Sequence, residues 1–347
     1  MPYPTATPVA DRQAPLLRQE LQDRLDSLAH AHRVPGAHLA VDTGTELISV
    51  HTGTADAATG RAYTADTAVP LGSVTKVYTA AAVLLLADDD DLDLDDPVAS
   101  YVPELRELPE VTIRHLLGHT AGLPTGPDSD TAARTTASRY LSGLCTAQDA
   151  LFAPGTGFSY SNAGYIAAGR LVELVTGMTW QEAVQALLLD PLGTEPAFLG
   201  EPAPARPGAV GHAVNTATGR LRPTHQNLAP VEAPAGALLA GALDLVDIGR
   251  ALAGRSAVLP PGLAARMRRP EPGAAPGALA DGWGLGVALF AGAVAGAFAG
   301  SRGPGAWPTS STRDTTGLPT TGVLCMRGQR RQCRRRVGGH FCAGLVI

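Results

Sequence analysis

The sequence predicts an α+β protein with two lobes. Three observations lead there. A helical pattern over 11–32 runs into two strand-like runs over 36–51, an Ala- and Leu-rich run without Gly or Pro follows Gly72-Ser73, and a Gly-rich strand pattern returns over 282–290 after a middle rich in helical periodicity. With 347 residues, 45% of them apolar, the chain can bury a large core, and the length suggests two lobes or subdomains.

Taken in order, Leu17, Leu21, Leu25 and Leu28 recur every three or four residues, which predicts an amphipathic helix that ends before Pro35 and packs on a sheet. The runs 36–41 and 47–51 flank Asp42-Thr43-Gly44-Thr45 and read as a hairpin. The run 77–86 reads as a buried helix that begins at or just before Ser73. The acidic stretch 88–96 lacks the mid-loop glycine and terminal bidentate acid of a calcium loop, so it reads as a solvated loop closing that helix. His115 and His119 lie four apart on a short helix, but Leu116 stands where a metalloprotease pair needs Glu, so both read as packing or capping histidines. A turn-rich loop over 153–165 leads into an apolar helix over 166–175. The segment 195–235 reads as Pro/Ala-rich connection, 244–252 as a helix with Asp244 near its cap, and 282–290 as one strand whose glycines imply close backbone approach.

Chemistry concentrates at Gly72-Ser73-Val74-Thr75-Lys76. A serine three residues before a lysine lies on the same helical face. A hydroxyl at a helix N-terminus sits at the positive end of the dipole, and a lysine one turn into an apolar helix is stripped of water, which depresses its pKa. Those conditions suit Ser73 as a nucleophile with the neutral amine of Lys76 as its base. The plain alternative is a structural lysine that snorkels out of a core helix. Composition bears on the choice: the chain has 26 arginines and one lysine, Lys76. Arginine serves surface charge equally well but does not give up its proton in a protein. Tyr160 and Asn162 lie two apart, so on extended backbone their side chains share one side. Such a pair suits a cleft wall, the phenol moving a proton and the amide holding a carbonyl, although taken alone it reads as turn residues satisfying local backbone.

The formal charge of −5 hides an asymmetry. Residues 315–347 contain no Asp or Glu and carry six arginines between Arg327 and Arg336, leaving 21 cations against 32 acids, a net −11, in residues 1–326. An acidic body gives no reason to expect nucleic acid. The first 13 residues hold three prolines and no apolar h-region, and no run approaches a membrane span, so the sequence predicts a cytoplasmic protein with no signal peptide and no membrane partner. Cys145, Cys325, Cys333 and Cys342 form no C-x-x-C pair and no stapling framework, so neither a metal site nor a cofactor is expected.

Together, Pro70-Leu71-Gly72-Ser73-Val74-Thr75-Lys76, Leu94-Asp95-Asp96-Pro97-Val98, Thr112-Ile113-Arg114-His115-Leu116-Leu117, Pro154-Gly155 with Tyr160-Ser161-Asn162, Pro191-Leu192-Gly193 and Gly284-Leu285-Gly286 resemble, in order and spacing over 12–290, the superfamily of class C β-lactamases, D-Ala-D-Ala carboxypeptidases and related esterases and transacylases. The resemblance implies a β-lactamase/transpeptidase-like α+β fold: an antiparallel sheet flanked by helices in an α/β lobe (1–87 and 231–347), and an all-helical lobe (88–230), with the active site between them. It implies that Ser73 is acylated, Lys76 is its base, Tyr160 relays a proton to the leaving group and Asn162 contacts the substrate amide. The oxyanion hole would use the Ser73 backbone N–H and one from a sheet-edge strand.

At that edge strand the chain departs from the family, which carries Lys-Thr-Gly or His-x-Gly there. The corresponding segment is Ala299-Gly300-Ser301-Arg302-Gly303-Pro304-Gly305, so Arg302 is the candidate substrate-binding cation, with Pro304 removing a ladder donor. The composition shift from about residue 300 also fits a reading-frame change in GC-rich coding DNA. The resemblance thus implies a serine hydrolase or acyltransferase acting on an amide or ester, its partners a small acyl donor and water or an amine acceptor, as in an intracellular esterase, an amidase or a transacylase of specialised metabolism. A D-Ala-D-Ala carboxypeptidase or β-lactamase, and a non-catalytic homologue with a damaged third motif, are the alternatives.

Overall fold

A computed structural model describes residues 9–126, 135–200, 206–215, 217–224, 228–277, 280–290, 293–295, 323–327 and 342–346. The chain opens with helix α1 (Val9–Ala31), whose Leu17, Leu21 and Leu25 pack on Ala37, Ile48 and Val50 of the first hairpin, while Leu28 is left exposed. That hairpin joins β1 (Gly36–Asp42) to β2 (Leu47–Asp56) with Asp42 opposite Leu47. Its turn is closed by the Asp42 carboxylate, which accepts from the Gly44 N–H at 2.8 Å, a side-chain substitute for a backbone turn bond. β2 runs further than its apolar pattern predicts and ends in a bulge against β3 (Arg61–Ala62). β4 (Val69–Pro70) then delivers the chain to the site.

Helix α2 (Thr75–Asp88) follows a single 3-10 turn, Gly72–Val74. Every residue over 75–84 is buried, so this helix has no solvent face and forms the centre of the core. Each fully buried valine or leucine contributes roughly 1.5–3 kcal/mol. The acidic segment after it is a surface loop: Asp95 accepts from Arg114 at 2.6 and 2.9 Å, and Tyr101 donates to Asp96 at 2.7 Å.

α3 (Ile113–Leu117) is capped at both ends of one turn: the Thr112 hydroxyl accepts from the His115 N–H, and His115 Nδ1 accepts from the Thr112 N–H. His115 is thus a capping residue, as its sequence context predicts. α4 (Ala137–Leu144), α5 (Asn162–Thr176), α6 (Trp180–Val184) and, after a π-helical turn, α7 (Asp190–Leu192) complete the helical middle. A two-stranded hairpin, β5 (Gly211–Val214) with β6 (Leu221–Thr224), interrupts the segment that sequence periodicity leaves as plain connection. α8 (Ala233–Gly236), β7 (Leu239–Ala240), α9 (Ala242–Leu252) and α10 (Pro261–Met267) follow, and α2 packs against α5, α8 and α10. Asp244 sits in the first turn of α9, where its carboxylate accepts from the Gly241 N–H at 2.7 Å and pairs with Arg206.

Residues 282–290 do not form the single strand predicted. β8 (Gly282–Trp283) and β9 (Ala288–Phe290) pair with each other antiparallel, closed by a bond from the Gly284 N–H to the Val287 carbonyl. Gly286, at φ +83°, lies where a Cβ would come within 2.4 Å of Ala80 on α2. A side chain at this position would therefore collide with α2. β10 (Ala293–Ala295) extends this small sheet. β11 (Val323–Arg327) and β12 (Cys342–Val346) join the first hairpin, giving a five-stranded antiparallel sheet in the order β11-β12-β1-β2-β3. No helix among the described residues is long and apolar enough to cross a membrane.

Candidate active site

The site is built around the first turn of α2. Ser73 sits half-buried in the 3-10 turn, and Lys76, 1% exposed, points back along the same face. Lys76 Nζ lies 3.1 Å from Ser73 Oγ and donates to the Ala235 carbonyl at 2.9 Å. Two bonds hold α8 and the residues after it against α2, and a third, from Trp180 on α6, fixes the Thr79 hydroxyl that makes one of them. Thr79 Oγ1 donates to the Pro234 carbonyl at 2.7 Å, Trp180 Nε1 donates to Thr79 Oγ1 at 3.1 Å, and the Leu238 N–H donates to Thr75 Oγ1 at 3.1 Å.

Burial drives the Lys76 ammonium down from 10.5 to about 7, with the Glu232 carboxylate pulling weakly the other way. The amine faces the rings of Tyr160 and Tyr165, 5.0 and 5.6 Å from their centroids. Tyr165, at the base of this wall, donates to the Leu117 carbonyl at 2.9 Å. Burial pushes the Tyr160 phenol above its usual range, and the neighbouring Ser73 hydroxyl partly offsets that. The Tyr160 hydroxyl nevertheless makes no hydrogen bond of good geometry with any described residue.

Tyr160 is carried by a short extended segment that is tied down residue by residue. The Ser159 N–H donates to the His119 carbonyl at 2.9 Å, Thr125 Oγ1 donates to the Tyr160 carbonyl at 2.9 Å, and the Ser161 N–H donates to His119 Nδ1 at 3.1 Å. Ser161 is the N-cap of α5: its hydroxyl accepts from the Gly164 N–H at 2.9 Å and donates to the Pro124 carbonyl at 2.6 Å. Asn162 is therefore not on extended backbone. It is the first helical residue of α5, half-buried, with its N–H on the Thr125 carbonyl at 3.2 Å. The sequence argument for Tyr160 and Asn162 sharing one side needs an extended pair, and the helix starts between them.

The structure thus brings Ser73, Lys76 and Tyr160 into one cluster and sets Asn162 at the adjoining helix start. Arg302 and the edge segment around it lie outside the described residues. Among the described residues no three His, Cys, Asp or Glu side chains converge as a metal site would require. Three contributors escape the sequence reading: the Ala235 carbonyl, which has no side-chain signature, Glu232, and His119, whose neighbours come from distant segments.

A profile of the β-lactamase family matches residues 18–315. Penicillin-binding protein 4 of Amycolatopsis lactamdurans is 35% identical over 291 residues, which cover 78% of this chain and 74% of that protein. Esterase EstB of Burkholderia gladioli is 32% identical over 287 residues, 67% of this chain and 69% of that one. Among solved structures, that of SurE superposes with a TM-score of 0.78 at 33% identity, covering 95% of this chain and 71% of SurE, which has also been solved with D-Leu.

Proposed function

The chain belongs to the β-lactamase family, and on that premise we propose that it carries an acyl group on Ser73 during transfer from an amide or ester. One observation carries the reading: a fully buried amine, depressed to about 7, lies 3.1 Å from the hydroxyl of a serine in the first turn of the core helix. Neutral Lys76 takes the Ser73 proton as Oγ adds to the substrate carbonyl. The resulting ammonium is stabilised by the Ala235 carbonyl and the two tyrosine faces. When the tetrahedral adduct collapses, Tyr160 gives its proton to the departing amine or alcohol and takes one back from the Lys76 ammonium, which returns the base to its neutral form. Asn162, beside it, holds the acyl side of the substrate. The acyl group leaves to water or to an amine acceptor.

The relatives support a peptidyl or aminoacyl donor. One is a penicillin-binding protein, one an esterase, and SurE was solved with a D-amino acid. We infer that a D-configured residue on the acyl side is preferred over its L-enantiomer. Intact-mass analysis after exposure to a β-lactam and to D- and L-aminoacyl p-nitrophenyl esters tests both points. A covalent adduct on the native protein that disappears in Ser73→Ala is the expected result. The absence of any adduct with all these donors would overturn the acyl-enzyme reading, and equal labelling by the two enantiomers would overturn the stereochemical one.

A further inference from the structure

His119 is buried to 1% exposure in the wall that faces Lys76, yet the proposed chemistry gives it no part. Its ring lies 4.4 Å from that of Tyr160 at a 34° tilt, 5.1 Å from both Tyr165 and Trp283, and 5.8 Å from Phe158. Burial and the nearby Lys76 hold its pKa well below the usual imidazole range, so it is neutral. Since Nδ1 accepts from the Ser161 N–H, the proton of the neutral ring is on Nε2, which has no hydrogen-bond partner among the described residues. His119 also holds a left-handed backbone conformation, φ 57°, unusual for a residue with a side chain. That conformation lets one residue grip the chain twice, its carbonyl taking the Ser159 N–H and its imidazole the Ser161 N–H. The two bonds bracket Tyr160, and the imidazole lies along the Tyr160 ring. A residue needed only to fill the core has no reason to present one specific nitrogen lone pair and to accept strained backbone at the same place.

From this geometry we propose that His119 is a positioning residue for Tyr160, fixing the phenol over Ser73 and Lys76 through the Nδ1 bond to the Ser161 N–H. The proposal rests on the acyl-enzyme reading above and assigns His119 to one step of it. Tyr160 matters most when the leaving group needs a proton. A p-nitrophenolate departs without one, whereas an alkoxide or an amine does not. Loosening Tyr160 should therefore slow simple alkyl esters and amides and largely spare p-nitrophenyl esters of the same acyl group.

The experiment compares kcat/KM for an ethyl ester and a p-nitrophenyl ester in wild type, His119→Phe, His119→Asn and Tyr160→Phe. His119→Phe keeps an aromatic ring but removes the acceptor, and should lose roughly 10- to 100-fold on the ethyl ester and only about threefold on the p-nitrophenyl ester. His119→Asn places an amide oxygen near the Nδ1 position and tolerates left-handed backbone, so it should recover most of the ethyl-ester loss. Tyr160→Phe should show the same leaving-group split, and adding His119→Phe to it should cost little more. Equal losses on both esters in His119→Phe, with wild-type turnover that still depends on Ser73, would overturn the role of His119 alone. Wild-type protein that turns over neither ester would overturn the acyl-enzyme reading and this one with it. Long-range 1H–15N NMR of the wild-type imidazole gives a test that needs no variant to fold: a proton on Nε2 is expected, and one on Nδ1 would refute the bracket.

Discussion

The rate of Ser73 acylation should follow the neutral fraction of Lys76. With a pKa of about 7, that amine is ~9% neutral at pH 6 and ~91% neutral at pH 8, so the acylation rate should rise about tenfold over that interval and level off above it. An ordinary lysine at 10.5 would be only ~0.3% neutral at pH 8 and its rate would still be climbing tenfold per unit. The difference of about 3.5 units corresponds to about 5 kcal/mol against the charged form, which burial of Nζ away from water supplies. Glu232 opposes that effect by favouring the ammonium, so Glu232→Gln should move the midpoint to lower pH. Lys76→Arg keeps a cation but cannot act as the base, and its acylation should fall roughly 10²- to 10⁴-fold at every pH. The assay is single-turnover acylation by a p-nitrophenyl ester between pH 5.5 and 9.5. A wild-type midpoint above pH 9, an upward move in Glu232→Gln, or near wild-type acylation by Lys76→Arg would each refute the reasoning.

Two stability predictions follow from the same physics. His38, buried on β1 with Nε2 2.8 Å from Ser49 Oγ, has its pKa lowered from 6.5 to about 4, chiefly by burial and then by neighbouring His51. The unfolded chain therefore takes up this proton first as pH falls from 6.5 toward 4, and stability is lost across that window, about 2 kcal/mol between pH 7 and pH 5. Urea midpoints at the two pH values should differ more in wild type than in His38→Asn, and equal differences would remove His38 as the cause. Lys76→Met should unfold at a higher temperature than wild type while losing acylation. Holding the lysine costs about 4 kcal/mol at pH 7, against roughly 1–3 kcal/mol for leaving the Ala235 carbonyl unpaired. A less stable Lys76→Met would show that Lys76 supports the fold.

What could be read from the sequence, and what could not, divides by how local the cause is. The 77–86 run announces a buried helix because it is apolar on every face, and the lone lysine just before it stands out against 26 arginines. The first hairpin is equally local, since Asp42 closes its own turn. By contrast, 282–290 reads as one strand because its residues alternate no differently from a strand; that Gly286 must leave room for Ala80, on a helix some two hundred positions earlier, has no local signal. β6 escapes notice because Pro223 breaks its pattern, and its pairing with β5 supplies what its composition does not. The helix start at Asn162 did have a local signal, Ser161 followed by an apolar run, but turn residues on either side obscured it. His119 had none, because its bonding partner is 42 positions away. Helix α3 and its cap could be anticipated; that the helix ends before His119, and that His119 rather than His115 faces the site, could not.

The site's residues are consistent with one requirement, that charge be scarce at rest and accommodated only in transit. Lys76 and His119 are both buried against the wall of Tyr160, Tyr165 and Trp283, and burial lowers the pKa of each, His119 far below neutrality and Lys76 to about 7. Were His119 to carry the proton instead, Nδ1 could no longer accept from Ser161 and a second cation would face Lys76, so Tyr160 would lose its anchor and the base its neutrality together. In the proposed acylation, the groups that face the new ammonium are already in place: a carbonyl at 2.9 Å, two ring faces at 5.0 and 5.6 Å, and the Glu232 charge. None of them needs to reorient, which is the condition under which such contacts lower a barrier rather than tighten a resting complex. The single lysine of the chain is therefore held where its charge is costly, which leaves its amine in large part free to take a proton near neutral pH.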